Sequence, residues 1–382
     1  MDRLTIFAFV TAVAVMGPAD AAPAGPAAPG RLAGVTDVFT PRPRTPDYEL
    51  HMASYRGEAL QARLLIRRHG DWIRVERQES DRSRIQQIHA PTGVIIDRYG
   101  SPAADIGGLS IRAPETAPTP GIDYASRKTG RTWKVAGQRC QIWEVYRGLD
   151  RGYTTFTRLG CVTRDGIELA RWTTGRTGDL LGERMTGYYL IRRRMAQVDV
   201  GPPGPVLDVT AWLSGTPASG SDASIAYEVV LKAEGSPNAI TIRRSGGSTF
   251  TETVNADGAR DMFIDRGDGV TVSARIGPTG APESYTIRRQ PRPDAPREVR
   301  LPEPARTVFG QSCDWIDVMP DVADAGRHEC RTGDGVILAI RKFSRGGDTQ
   351  LVATSVSRRA LATAELLPPA WLLDLKRWGV TD

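Results

Sequence analysis

Histidine is scarce in this chain. There are four in 382 residues, at His51, His69, His89 and His328. No G-x-S-x-G elbow, S-x-x-K or H-E-x-x-H is present, so the usual nucleophile and metalloprotease signatures are missing. Neither C-x-x-C nor H-x-x-x-H occurs, which removes the common zinc spacings. Lysine is nearly absent: Lys128, Lys134, Lys232, Lys342 and Lys376 are the only ones among 50 cationic side chains. The net charge of +6 is therefore carried by arginine. After Met16 no apolar run is long enough to cross a bilayer as a helix. No long segment keeps a 3.6-residue period, so helix should be the minority. These absences point to no catalytic residue, no metal and no cofactor, and the chain reads as a non-enzyme.

What is present is a repeat. Gly137–Ala170 begins GQRCQIWEVY and ends GCVTRDGIELA, and Gly310–Ala339 begins GQSCDWIDVM and ends ECRTGDGVILA. Gly137, Gln138 and Cys140 return as Gly310, Gln311 and Cys313. Cys161, Thr163, Asp165, Gly166, Leu169 and Ala170 return as Cys330, Thr332, Asp334, Gly335, Leu338 and Ala339. Ile66-Arg67-Arg68 is echoed by Ile242-Arg243-Arg244, and Arg192-Arg193 by Arg358-Arg359. Repetition over most of a chain outranks other signals of fold.

The first residues read as a targeting segment. Arg3 precedes an apolar run from Leu4 to Met16, Gly17-Pro18 breaks it, and Ala19-Asp20-Ala21 supplies a small-x-small cleavage pattern. Residues 1–21 are thus expected to be a signal peptide, and 22–45, rich in Pro and Ala, an extended lead-in. An exported protein meets an oxidising compartment, where an even number of cysteines suggests disulfides. Four cysteines allow three connectivities. The repeat selects Cys140 with Cys161 and Cys313 with Cys330, each closing a loop worth about 3 kcal/mol in the chain-entropy model. Export also argues against a nucleic-acid partner for the basic residues. They alternate within strand-like segments, as the solvated face of a sheet would.

Ala62–Arg77 reads as a hairpin around His69-Gly70-Asp71, and Ile85–Tyr99 as another around Pro91-Thr92-Gly93. Gly100–Pro120 reads as a gap. Trp133–Tyr146, Tyr153–Thr163, Ile167–Trp172 and Met185–Arg194 read as further strands. Asp165-Gly166 and Asp334-Gly335 fit tight type I′ turns, which accounts for both acids without catalysis. Gly246-Gly247 and Gly346-Gly347 lack the strand-to-helix setting of a phosphate loop and read as turns. Val206–Leu213 is a short amphipathic piece. Ser214–Ser224 is polar and small, and marks the best boundary. The expected organisation is a first β domain at 46–213, a linker at 214–224 and a second β domain at 225–382.

Each copy runs through an arginine-rich hairpin, G-Q-x-C, a hydrophobic strand, C-x-T-x-D-G-[IV]-x-L-A and a closing Pro-Pro. In this it resembles the exported domains of the LolA-like, lipoprotein-carrier superfamily. That resemblance implies a mainly β fold: two tandem curved antiparallel sheets, each a half-barrel with short helices against its concave face. It also implies a ligand with acyl chains in the concavity. Trp133, Trp143 and Trp172 cluster around the first signature with Tyr146, and they are the candidate lining for a lipid or other apolar ligand. The functional expectation is a periplasmic binding protein for such a ligand. The alternative is a non-enzymatic structural or interaction protein with filled cores and an envelope protein as its partner. In neither case is the mature chain expected to be an integral membrane protein.

Overall fold

The computed structural model describes residues 45–101, 106–114, 124–148, 154–173, 183–202, 225–291, 298–320, 325–344 and 347–380. All of them belong to one compact unit, Gly34–Asp382. The expected signal peptide at 1–21, nearly all of the lead-in, the amphipathic piece at 206–213 and the linker at 214–224 lie outside the described residues.

The chain is mostly antiparallel β-sheet, a single open and curled sheet with a few short helices. The first half contributes β1 (Tyr48–Arg56), β2 (Ala59–His69), β3 (Trp72–Glu79), β4 (Arg84–His89), β5 (Ile95–Ser101), β6 (Ile106–Arg112), β7 (Tyr124–Val135), β8 (Gln138–Gly148), β9 (Thr154–Val162), β10 (Glu168–Thr173) and β11 (Glu183–Ile191). After the short helix α1 (Gln197–Val200) the second half contributes β12 (Tyr227–Ala233), β13 (Ala239–Ser245), β14 (Ser248–Val254), β15 (Arg260–Asp265), β16 (Val270–Ile276) and β17 (Pro282–Arg289). It continues with β18 (Val299–Arg300), β19 (Arg306–Val308), β20 (Gln311–Asp317), β21 (Ala325–Arg331), β22 (Ile337–Ser344) and β23 (Thr349–Arg358). Three 3-10 turns follow, Thr363–Leu366, Ala370–Leu373 and Leu375–Trp378.

The pairings give each half the same order. In the first, β7 leads through β8, β9, β10 and β11 to β1, and then through β2, β3, β4 and β5 to β6. In the second, β20 leads through β21, β22 and β23 to β12, and then through β13, β14, β15 and β16 to β17. The halves meet where β6 pairs with β17, Leu109 opposite Ile287 and Ile111 opposite Tyr285. On the other face of this seam the Ser110 and Thr286 hydroxyls lie 3.0 Å apart.

Side chains alternate across a strand, and the sheet uses both faces in turn. Toward β7–β10, strands β1–β3 bury Leu50, Met52, Ile66, Ile73 and Val75 against Cys140, Ile142, Ile167 and Leu169. In the middle the opposite face is buried: Trp72, Ile88, Ile96, Leu109 and Ile111 join Phe250, Met262, Ile264, Val272, Tyr285 and Ile287. The burial changes face at β3, where Trp72 and Ile73, neighbours in the chain, enter different clusters. A third cluster, built on Val229, Ile242, Trp315, Leu338 and Ile340, fills the second half's far lobe. Leu372, Trp378 and Val380 from the C-terminal turns close the central cluster, and the Trp378 indole donates to the Leu372 carbonyl at 2.9 Å.

Both disulfides form as the repeat selects, Cys140–Cys161 and Cys313–Cys330. Both expected hairpins in the first half are present as β2–β3 and β4–β5. Three local expectations change. The Gly100–Pro120 gap contains the seam strand β6. Gly108 there has no side chain because the Tyr99 ring lies across it; a Cβ would come within 2.2 Å of that ring. Trp133–Tyr146 is not one strand, since Ala136 and Gly137 both take positive φ (47° and 73°) and turn β7 into β8. The turn after Thr163 is not type I′. Of its residues Gly166 alone has positive φ, and Thr163 pairs with both Gly166 and Ile167, as in a three-residue loop with a bulge.

Candidate functional site

The repeated polar positions build a frame. Arg192 donates to Asp165 at 2.8 Å and to Gln138 at 3.2 Å, and the Thr163 hydroxyl closes onto the same carboxylate. Arg358 does the same with Asp334 at 2.8 Å and Gln311 at 2.6 Å, with Thr332 on the carboxylate. These donors pull the Asp334 carboxyl down to about 2. A second arrangement also recurs. Glu49 accepts from Arg67 and Arg193, and Glu228 from Arg243 and Arg359. Burial opposes ionisation of Glu49, but hydrogen bonds from His51, Arg67 and Arg193 outweigh it and bring its carboxyl to about 2. These acids are anchored in ion pairs. Among the described residues no three His, Cys, Asp or Glu side chains come together as metal ligands.

The tryptophans singled out by sequence divide between the two faces of the sheet. Trp133 is half exposed and stacks on Trp172, with centroids 4.8 Å apart. Trp143 faces the other way, packed on Val162 with the Lys128 ammonium 5.1 Å from its ring centre. Tyr146 lies in β8, and its side chain falls outside the described residues. None of the three tryptophans lines the cavity described next.

That cavity is a groove of about 1200 Å³ on β2–β6. Most of its floor belongs to the face that buries the central cluster, continued beyond Ile88, Ile96 and Leu109. Six arginines line it, Arg63, Arg74, Arg77, Arg82, Arg84 and Arg98, with Glu76 as the one carboxylate. His51, Tyr99 and Tyr188 complete part of the wall. Arg74 lies 2.8 Å from Glu76, and Arg67 lies 3.4 Å from the same carboxylate, so Glu76 is already neutralised. Arg77 is held by Glu79 and Glu183. Arg63, Arg82, Arg84 and Arg98 are exposed and have no acidic partner among the described residues.

The second half shows what the same face looks like when filled. The cross-strand row Glu76–Gln86–Arg98–Leu109 corresponds to Glu252–Met262–Ala274–Tyr285, and Arg74–Ile88–Ile96–Ile111 to Phe250–Ile264–Val272–Ile287. Arg74, Gln86 and Arg98 thus stand where Phe250, Met262 and Ala274 are buried. Nothing in the strand pattern requires arginine at these places. Sequence reasoning treated these arginines as a solvated face. The signal that singles them out is the comparison of the two halves strand by strand.

No family model matches the chain, and no curated protein matches it. Among solved structures it is similar to one titled "Crystal structure of MucB in complex with MucA(peri)", with TM-score 0.28 and 15% identity over 64% of this chain and 88% of that one. It is also similar to one titled "Crystal structure of MucB", with TM-score 0.24 and 14% identity over 67% of this chain and 91% of that one. A likeness this loose says nothing of what this chain does.

Proposed function

We propose that the chain is a non-enzymatic binding protein of the cell envelope, exported by its first residues, and that its ligand seats in the groove on β2–β6. Two disulfides fit the oxidising compartment that export implies. The observation that carries the reading is the contrast between the halves. On the second half the corresponding face is packed with Phe250, Met262 and Ala274, whereas on the first it is open and lined by polar side chains. Pockets of this size hold small ligands and orient them with a few convergent polar groups. The lining favours a ligand with a polar face over a bare acyl chain, which would meet guanidinium groups. The shared strand order and recurring clamps also support reading the halves as tandem copies of one LolA-like unit, one kept closed and one left open.

A second reading, an interaction protein with filled cores, is favoured by the three packed clusters and by the half-exposed Trp133, which stacks on the partly buried Trp172. Native mass spectrometry of the mature protein, taken from its own cell envelope before and after organic extraction, separates the two. An extra mass that depends on Arg63, Arg84 and Arg98 supports the groove as a ligand site. A bare mass from every preparation overturns it and leaves the interaction reading.

A further inference from the structure

We propose that the groove recognises a ligand carrying two or more phosphoryl groups, bound by the guanidinium groups of Arg63, Arg84 and Arg98. The inference rests on the groove being the ligand site and adds the chemistry of the ligand. Arg63 and Arg84 stand in one cross-strand row with Gln78 between them. Their backbones are therefore two strand spacings apart, about 10 Å. Arg98 lies on the next strand, opposite Gln86 and one step along from Arg84. The row beyond Arg84 runs into Gly100 and Gly107, which present no side chain to the groove and let a ligand approach the backbone.

Charge decides the class of ligand. Three arginines on neighbouring strands raise the local positive potential, and no carboxylate among the described residues pairs with them. Glu76, the one acid in the lining, is already shared between Arg67 and Arg74. A terminal phosphoryl group carries about −1.5 to −2 at neutral pH with three acceptor oxygens, and a phosphodiester about −1 with two, so two or more of them together supply the compensating charge that a single carboxylate does not. The lining has arginine and no lysine. Arginine's planar fork matches phosphate with two parallel hydrogen bonds, whereas an ammonium acts as a point charge. The corresponding positions of the second half carry apolar side chains where the first has Arg74 and Arg98, so the strand pattern itself does not call for cationic ones. The phosphoryl groups have two sources, a soluble phosphorylated molecule or the headgroups of an anionic lipid.

The test uses the full mature chain. Isothermal titration with tripolyphosphate probes the soluble source. Sedimentation with cardiolipin-containing vesicles, against phosphatidylcholine vesicles, probes the headgroup source. Arg63→Gln, Arg84→Gln and Arg98→Gln should each weaken binding roughly tenfold, as expected for loss of one charge-assisted hydrogen-bonded contact. Added salt should weaken it further. Arg260→Gln, on the second half beside Glu252, is the control and should change nothing. Binding to tripolyphosphate assigns the soluble source; binding to cardiolipin vesicles alone, lost in the triple variant, assigns the headgroup. Binding of neither probe overturns the proposal, and so does binding that survives in a folded triple variant. A phosphorus-free ligand carried from the envelope and not displaced by tripolyphosphate would sink the phosphoryl assignment while leaving the binding-protein reading intact. A bare protein that still binds tripolyphosphate through these arginines would do the reverse.

Discussion

The seam between β6 and β17 makes a quantitative prediction about how the two halves unfold. Leu109 and Ile287 face each other across it, both with 0% exposure, inside a cluster drawn from both halves and the C-terminal turns. Truncating Leu109 to Ala removes a fully buried side chain, a loss of about 1.5–3 kcal/mol in transfer alone. The neighbours belong to a rigid β-sheet and collapse little, so a cavity adds to this and the total should be about 3–4 kcal/mol. Ile287→Ala should cost a similar amount. Because the two touch, the double variant should cost less than the two single losses together, with an interaction of about 1 kcal/mol. Urea unfolding followed by far-ultraviolet circular dichroism supplies the free energies. Hydrogen exchange at amides of β1 in the first half and β12 in the second then reports whether both halves lose protection together. One shared transition should move as a unit in each variant. Strict additivity of the two substitutions would refute the seam. So would a loss confined to the half that carries the mutation, which would make the halves independent bodies.

Three further outcomes follow from other parts of the molecule. The Tyr285 hydroxyl is buried and has no hydrogen-bond partner among the described residues, so Tyr285→Phe should be neutral or raise the unfolding free energy by about 1–2 kcal/mol; a loss above about 1 kcal/mol would show a partner for it. Removing Cys313–Cys330 by a double substitution to Ala should lower stability by about 3 kcal/mol, read by denaturation beside the oxidised wild type; the reduced wild type, which loses Cys140–Cys161 as well, should fall lower still. The Asp334 clamp should make stability depend on acid. Its carboxyl is depressed in the fold to about 2, so its contribution is complete above the ordinary carboxylate range and is lost as pH falls through about 2. The stability gap between wild type and Asp334→Asn should therefore be widest near neutrality and close as the pH approaches 2; a gap that widens in acid would reverse the sign.

The sequence makes some parts of this fold legible and hides others for identifiable reasons. The hairpins around Gly70 and Gly93 announce themselves by alternation and a turn residue, and the cysteine pairs follow from the repeat. Strand β6 does not, because IGGLSIR has two glycines where a strand pattern needs side chains. Its identity comes from a partner 176 residues away, Ser110 opposite Thr286, and from the Tyr99 ring lying over Gly108. The candidate site fails to show for a related reason. Alternation identifies two faces of a strand but not which one is enclosed, and here the enclosed face changes at β3. Arg74 and Arg98 therefore read as one solvated face: Arg98 is exposed, but Arg74 is partly buried, and both share their face with Trp72 and Ile96. The tryptophans stand out in the sequence by size, yet Trp133 and Trp172 belong to one face of the β7–β10 lobe and Trp143 to the other.

What recurs between the halves and what differs divide the labour of the chain. The recurring groups are those a curled sheet needs to hold its lobes: a disulfide, an Asp locked by Arg and Thr, a Glu shared by two arginines. The disulfides cross-link the paired strands of one hairpin in each half, and the clamps bring Arg192, Arg193, Arg358 and Arg359, from the end of the last strand of each lobe, onto acids elsewhere in it. The differing groups lie on the enclosed face of β3–β5 and β14–β16, where packing alone would favour apolar side chains in both. The second half follows that preference with Phe250, Met262 and Ala274. The first departs from it with Arg74, Gln86 and Arg98, and accepts an open groove in which Arg74 is paired with Glu76 while Arg98 has no acidic partner among the described residues. A departure from packing that concentrates like charge is destabilising unless something of opposite charge binds there. Replacing the three by the second half's residues, as Arg74→Phe, Gln86→Met and Arg98→Ala together, should thus give a chain at least as stable as the natural one in low salt, measured by urea unfolding. A less stable but folded product would mean that the arginines hold the sheet together, and the groove would then be a consequence of the fold instead of a site.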